Sequence, residues 1–281
     1  MDPQETARSL REELGLSLRY ALDPSPTERT RLPILQLGPD AALVEYAAHA
    51  RRARHGRLKT WLHRSLRGFL SDFDINGWLG TYPMHVLSRA QFAELLGDGA
   101  RGRLLDIGSG RGDVTSELAS HFQHVTCTET SPPMARRLRR AGYRVLEGDF
   151  ATFPPSDERY DVVSLLNVLD RCDRPLSLLG AAREALTPGG RLLLALVLPY
   201  QPFVYDGGRS RAPRERLPIA SDRFESALLE LVDYALLPLG LEVESVARVP
   251  YLSGGDAQRP LYELDDALVV CRAAYSVPVL G

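Results

Sequence analysis

The chain of 281 residues carries a single lysine, Lys59, among its 34 basic residues, so its positive charge is almost entirely arginine. That skew fits coding composition better than mechanism. Cysteine is equally scarce. Cys127, Cys172 and Cys271 are odd in number and widely scattered, which excludes a disulfide framework and any metal-ligand spacing, and no metal is expected. They read as reduced thiols. The net charge of -2 speaks against general nucleic-acid binding. No run of eighteen apolar residues exists and the opening MDPQETARSLREELG is charged rather than apolar, so neither a membrane span nor a secretory segment is expected and the chain reads as cytoplasmic. Internal repeats and low-complexity segments are missing too.

The stretch RLLDIGSGRGD, Arg103 to Asp113, organises what is present. Leu104, Leu105 and Ile107 suit a buried parallel strand, and Gly108, Gly110 and Gly112 let the backbone turn tightly where a ligand approaches. The spacing G-x-G-x-G lacks the later glycine of the dinucleotide fingerprint and the Lys-Ser/Thr of a P-loop, so it points away from NAD and ATP.

From Arg103 onward strands and helices alternate. Strands are expected at Arg103–Ile107, His124–Thr128, Arg144–Glu147, Tyr160–Leu165, Arg191–Val197, Leu241–Val249 and Ala267–Arg272. Helices fit between them at Asp113–His121, Pro132–Ala141, Pro175–Leu186 and Arg223–Leu237, and Pro188-Gly189-Gly190 reads as a tight turn. The pattern implies a mostly parallel, doubly wound α/β sheet of seven strands. Ahead of it, residues 1–70 form an N-terminal helical region, with apolar spacing at Leu10, Leu14 and Leu18 and a second helix from about Asp40 to Phe69; residues 71–281 form the main domain. The basic run His49 to Arg67 holds seven Arg/Lys and three His without an acid. It reads either as a solvated helix face or as a platform for an acidic partner or membrane surface. Residues 71 to 99 form a turn-rich connector with Ser88 as N-cap of a short helix, placed to pack over a cofactor or substrate. The proline-rich section Pro199 to Ala220 reads as a substrate lid at a strand's carboxyl end, and Pro250 to Asp265 opens on the same edge.

Several polar residues fall where a nucleoside cofactor would meet such a sheet. Glu129, in VTCTET after the second strand, suits the ribose hydroxyls. Asp149 suits an adenine amino group, and Phe150 reads equally as a stacking ring or a core residue. Asp106 closes an apolar strand and needs partners, either loop amides or the cofactor's amino group. This set resembles the class I S-adenosylmethionine-dependent methyltransferases, with their Rossmann-like fold.

The fourth strand ends in LLNVLDRCDRPLSLL, where Asn167, Asp170, Arg171, Asp173 and Arg174 crowd one turn. So many polar groups there are costly unless paired or used. Asp173 before Arg174-Pro175 reads as a helix cap, which leaves Asn167 and Asp170 for the site. Here the resemblance narrows. SDFDINGWLG, LLDIGSGRGDVT, YDVVSLLNVLDRCDRPLSLL, LALVLPYQPFV, RVPYLSGGD and YELDDALVV resemble the DREV, or methyltransferase-like nine, family of protein-histidine N-pros methyltransferases, over about Ser71 to Cys271.

The resemblance implies methyl transfer from S-adenosylmethionine to the pros nitrogen of histidine in a protein or peptide, in alternating-histidine motifs, with S-adenosylhomocysteine as product. It implies that Asp106, Gly108, Ser109, Gly110, Glu129 and Asn167 hold the cofactor beside Asp149 and Phe150. It further implies that Asn167 and Asp170 face the target imidazole as catalytic residues, with Tyr251 and Tyr262 in the substrate pocket. Apart from the resemblance, Tyr200 in the proline-rich loop and Arg171 in the turn are candidate substrate contacts by position, and Tyr200 reads also as a packing residue. Because a neutral imidazole is nucleophilic at one nitrogen only, Asp170 accepting the tele N–H would fix the reactive tautomer. The family's animal members carry a signal-like extension, so a secretory location does not transfer to a chain that opens on a charged helix. Two other readings stand beside this one: the same cofactor with a small-molecule or other side-chain acceptor, and a non-catalytic cofactor-binding protein.

Overall fold

The computed structural model describes residues 3–23, 32–52, 83–97, 101–154, 156–206, 209–254 and 261–274. The connector's SDFDINGWLG and the basic run beyond Arg52 lie outside them. Three helices and one strand precede the glycine strand or flank it early: α1 (Pro3–Leu14), α2 (Ala41–Arg52), β1 (Met84–His85) and α3 (Arg89–Leu96). The alternating part follows as β2 (Arg101–Ile107), α4 (Asp113–Ala119), β3 (Phe122–Glu129), α5 (Pro132–Arg140), β4 (Arg144–Glu147), β5 (Tyr160–Leu166), α6 (Pro175–Glu184) and β6 (Leu186–Val197). A small hairpin, β7 (Val204–Asp206) with β8 (Arg209–Arg211), precedes α7 (Phe224–Leu231), β9 (Leu241–Gly254) and β10 (Leu261–Ala273).

All seven expected strands occur in one sheet, ordered β1-β9-β10-β6-β5-β2-β3-β4. β4, β3, β2, β5 and β6 are parallel, and β10 and β9 close the sheet antiparallel. The eighth strand, β1, was not expected. It adds to the β9 edge at Met84↔Ser253 and His85↔Leu252.

Apolar side chains on the two sheet faces form two cores, because successive residues of a strand point to opposite sides. Leu105, Ile107, Val163, Leu165, Ala267 and Val269 pack with α6 and α7, while Leu104, Val162, Leu193, Ala247, Val249, Leu268 and Val270 pack with α2, α3 and α4. Leu16, Leu18, Leu37, Leu43 and Ala47 share this second core. Among the described residues, these N-terminal side chains therefore pack on the sheet. Glu263 of β10 anchors them by accepting the Ser17 and Leu18 amides at 2.6 and 2.5 Å.

Four local expectations are corrected. Pro188-Gly189-Gly190 lies within β6, where pairing with β5 shifts register between Tyr160 and Val162 and absorbs the extra residues as a bulge. The helix expected to reach Leu237 ends at Leu231 and relaxes through a π turn, Val232–Leu236, and a 3₁₀ turn, Leu237–Leu239. Pro238 offers no N–H and its ring crowds the preceding turn, so the α ladder gives way ahead of it. Much of the expected loop Pro250 to Asp265 is strand. Asp173 is not a cap: it is bound by Arg211 and Arg214, and the α6 amide of Ser177 is met at 2.8 Å by Glu215 from the loop after β6. The Ser88 cap is present, paired reciprocally with Gln91.

Candidate active site

The β2–α4 loop adopts the backbone its glycines permit. Gly108, Gly110 and Gly112 have φ of 71°, 54° and 84°, a region that costs other residues about 1 kcal/mol or more. A Cβ on Gly108 would lie 2.7 Å from Val168 Cγ2, so the loop also packs directly on the NVLD turn. Its amides are already engaged. Gly108 and Ser109 donate to the Thr128 carbonyl at 3.0 and 3.1 Å, and Gly110 donates to Glu129 Oε2 at 2.8 Å.

Beneath the loop, Asp106 is enclosed. Ser164 Oγ and Thr115 Oγ1 each donate to its carboxylate at 2.6 Å, and burial pushes its pKa up against those bonds. Within the chain these two hydroxyls are its side-chain partners, because its strand position turns Asp106 toward Ser164 on β5 and Thr115 on α4. Ser109 Oγ closes the same corner on the Asp106 carbonyl at 2.9 Å.

Glu129 stands at the end of β3, buried, where it accepts Gly110 N and Ser131 N, both at 2.8 Å. Burial raises its pKa while these amides oppose the rise. Having spent most of its acceptor capacity, Glu129 ties the loop to β3 at the place expected for ribose. Asp149 is exposed and caps the 3₁₀ turn Phe150–Thr152 through Ala151 N at 3.1 Å. Phe150 is half-buried against the α6 side core, its ring edge-on to Phe153 at 5.6 Å.

The carboxyl end of β5 differs. Asn167 has φ of 60°, its amide N–H bonds the Ala195 carbonyl at 3.0 Å, and its Nδ2 donates to Asp266 Oδ2 at 2.6 Å. Asp170, 3% exposed, meets Arg171 Nη1 through Oδ2 at 2.6 Å. Burial outweighs that cation and pushes the carboxyl up to about 6. Among the described residues, three buried acceptors here have no hydrogen-bond partner: Asn167 Oδ1, Asp170 Oδ1 and Asp266 Oδ1. Leaving such an atom unpaired costs about 1–3 kcal/mol, and polar atoms held at that expense are characteristic of ligand sites.

The sheet register brings the tyrosines to the same place. Tyr251 pairs with Leu264 and Tyr262 with Ser253, which sets Tyr251, Tyr262 and Asp266 on one face of the β9–β10 ladder. Charges on Asp266 and Asp170 act on Tyr251 and, after burial, raise its pKa further. Its hydroxyl meets Met84 Sδ at 2.8 Å, and a Cβ on Gly110 would lie 3.8 Å from Met84 Cε. β1 thus bridges the glycine loop and the tyrosines. Tyr46 of α2 supports it by donating to the Pro83 carbonyl at 2.5 Å and stacking on His85. Tyr262 is 37% exposed.

Two further candidate substrate contacts, Tyr200 and Arg171, have partners within the chain. Tyr200 is 7% exposed within the α6–α7 core, its hydroxyl between the Leu169 carbonyl and the Leu217 amide at 3.4 Å each, so it braces the loop after β6. Arg171 is committed to Asp170, to the Asp170 carbonyl and to the Phe203 ring 4.0 Å away. With the Asp173–Arg211 and Glu215–Ser177 contacts, these pin the supposed lid to the NVLD turn.

Asp266 was missed from sequence. An acid in the middle of the apolar run YELDDALVV was the available signal. Met84 and Tyr46 offered none.

A cationic methyl donor fits these residues: a loop that Gly108 and Gly110 keep open to close approach, Glu129 beside it, and the Asn167 side chain next to the loop through Val168. The family described as DREV methyltransferase matches residues 27–273. The ubiquinone biosynthesis O-methyltransferase of Xylella fastidiosa (strain 9a5c) is 25% identical over 138 residues, covering 43% of this chain and 55% of that protein. The ubiquinone/menaquinone biosynthesis C-methyltransferase UbiE of Ruegeria sp. (strain TM1040) is 28% identical over 147 residues, covering 49% and 58%. The chain thus spans about half the length of the curated relatives it matches. Among solved structures, N-methyltransferase NodS from Bradyrhizobium japonicum WM9 with S-adenosyl-l-homocysteine aligns at 19% identity and TM-score 0.42 over 66% of this chain and 85% of that one. The CcbJ methyltransferase from Streptomyces caelestis aligns at 21% and 0.44, over 66% and 88%.

Proposed function

The chain belongs to the DREV methyltransferase family, and on that premise we propose that it transfers a methyl group to the pros nitrogen of a histidine in a protein or peptide, in alternating-histidine motifs. The methyl donor is S-adenosylmethionine. It supplies a methyl already activated on a sulfonium, so the protein's task is placement and charge.

The observation that carries the reading is the pair of buried, unpartnered acceptors at the end of β5, Asn167 Oδ1 and Asp170 Oδ1. A neutral imidazole brings one N–H and one lone pair. Acceptance of the tele N–H by Asp170 leaves the pros lone pair aimed at the methyl. As the new N–C bond forms, the ring becomes cationic, and the Asp170 carboxylate stabilises that charge in a site closed to water. Arg171 holds the other carboxylate oxygen, which keeps Oδ1 directed at the ring. The tele proton leaves afterwards, with Asp170 as the nearest base. Tyr251 and Tyr262, on the same strand face as Asp266, flank the ring, and Gly108, Gly110, Glu129 and Asn167 hold the donor.

A small-molecule acceptor is the second reading, favoured by relatives whose names concern ubiquinone biosynthesis. Labelled methyl transfer separates the two. Wild-type protein is given Ala-His-Ala-His peptides and, in parallel, small hydroxylated aromatics; mass spectrometry locates the methyl and chromatography distinguishes pros from tele. Labelled pros-methylhistidine is the expected product. Transfer to the aromatics alone would establish the second reading.

A further inference from the structure

Asp265 and Asp266 are neighbours on β10 with opposite fates, because successive strand residues face opposite sides. Asp265 meets guanidinium groups, Arg248 Nη2 at 2.8 Å and Arg19 Nη1 at 3.6 Å. Asp266 is fully buried, and no ion pair reaches it among the described residues. Among those residues the one hydrogen bond to its carboxyl group comes from Asn167, 99 residues earlier. A buried carboxyl without a cation is costly to retain.

Asn167 is held at both ends of its own structure. Its backbone occupies the left-handed region, which asparagine tolerates better than most residues, and is tied to Ala195. The side-chain amide has two chemically opposite ends, either of which could face the site after a half-turn of the group. Asn167 Nδ2 is the end that meets Asp266 Oδ2. A carboxylate accepts and cannot donate, so in that state it takes only Nδ2, whereas a neutral carboxyl could bond either end. Asn167 Oδ1 is left pointing away from Asp266, buried and without a partner.

We propose that Asp266 is a positioning residue that fixes which end of the Asn167 amide faces the methyl acceptor, so that Asn167 and Asp170 together present two acceptors and no donor. The site then selects an acceptor bearing an N–H next to its nucleophilic lone pair and disfavours one that offers lone pairs alone. This consequence for selectivity rests on the imidazole reading above; the orientation of Asn167 does not. Burial and the Asp170 charge raise the proton affinity of Asp266, as expected of a carboxyl kept near a second acid.

Asn76 and Asn167 are the only asparagines in the chain, which makes the amide directly observable. With isotope-labelled asparagine, two side-chain amide signals are expected by NMR, and Asn167→Ala identifies its own by loss. In Asp266→Ala the Asn167 signal should move and its hydrogen exchange accelerate about tenfold, the scale of one lost hydrogen bond to a charged group. An unmoved signal overturns the proposal.

The kinetic arm uses Asp266→Ala and the near-isosteric Asp266→Asn, each alone and with Asn167→Ala. Asp266→Asn should unfold at the wild-type temperature yet lose about tenfold in kcat/KM for the peptide, since an amide can bond either end of Asn167. Added to Asn167→Ala, the Asp266 changes should cost less than about twofold, the mark of residues acting as a unit. Additive losses would assign Asp266 a role apart from Asn167 and overturn the proposal. If wild-type protein methylates no imidazole peptide, the substrate reading falls, and the NMR result decides the role of Asp266 by itself.

Discussion

The two halves of the site are built from the same kinds of residue and finished differently. Around the glycine loop, Asp106 and Glu129 are buried acids whose oxygens are met by hydroxyls and backbone amides from within the chain. Around the NVLD turn, Asn167, Asp170 and Asp266 each keep a buried oxygen that the described residues leave unmet. The first arrangement has its acceptors met from within the chain, which suits the proposed holding of the methyl donor. The second is short of hydrogen-bond donors among the described residues, which suits the proposed acceptor substrate. Preorganisation at one end and unmet demand at the other divide the labour of a transfer enzyme.

If that division is right, substitutions in the two halves should fail in different ways. Asp170→Ala should reduce turnover about 10²–10³-fold, the scale of losing one preorganised electrostatic group, while calorimetry shows cofactor affinity within about twofold of wild type. A parallel fall in cofactor affinity would erase the distinction between the halves. Asp106→Ala should instead cost about 3 kcal/mol of stability in denaturant titration, because the Ser164 and Thr115 hydroxyls lose their acceptor in the core. Wild-type stability would show that its carboxyl is not the loop's foundation.

Glu129→Ala should weaken S-adenosylhomocysteine binding about ten- to a hundredfold, because it removes an acid at the ribose position and releases Gly110 together. Equal binding by variant and wild type would remove Glu129 from the cofactor site. A pH series sharpens the other half. Burial lifts Asp170 to about 6 from an unfolded value near 3.8. Between those values the folded state binds the extra proton, so stability falls as pH rises from about 4 to 6 and the loss then stays constant. Asp170→Asn should remove a slope worth on the order of 3 kcal/mol across that window in peptide-free unfolding, where no substrate histidine titrates. The smallest effect concerns the pinned loop: Glu215→Ala should cost about 1 kcal/mol by uncapping α6, read from the unfolding midpoint.

The sheet was legible because its signals are local. The seven strands announced themselves by apolar runs, and the turn at Gly108 by a spacing that leaves few alternatives. Asp173 shows where locality misleads: its position before a proline is that of a cap, but two arginines about forty residues later compete for the same carboxylate at closer range. Tyr200 looked like a rim residue because prolines surround it, and long-range packing drew it into the core. β1 escaped notice because a two-residue strand has no periodicity to read.

What the sequence by itself determined was the donor end. A buried strand, a loop only glycines can follow and an acid one strand over mark the proposed place of S-adenosylmethionine through conformational limits that each residue carries with it. What only the tertiary structure decided was which polar atoms remain unmet. Asp265 and Asp266 are the same side chain one residue apart, and strand alternation gives one to Arg248 and the other to Asn167. Hydrogen-bond satisfaction belongs to pairs of atoms, and the partner of Asp266 stands where β5 ends, at a distance in sequence that no local pattern spans.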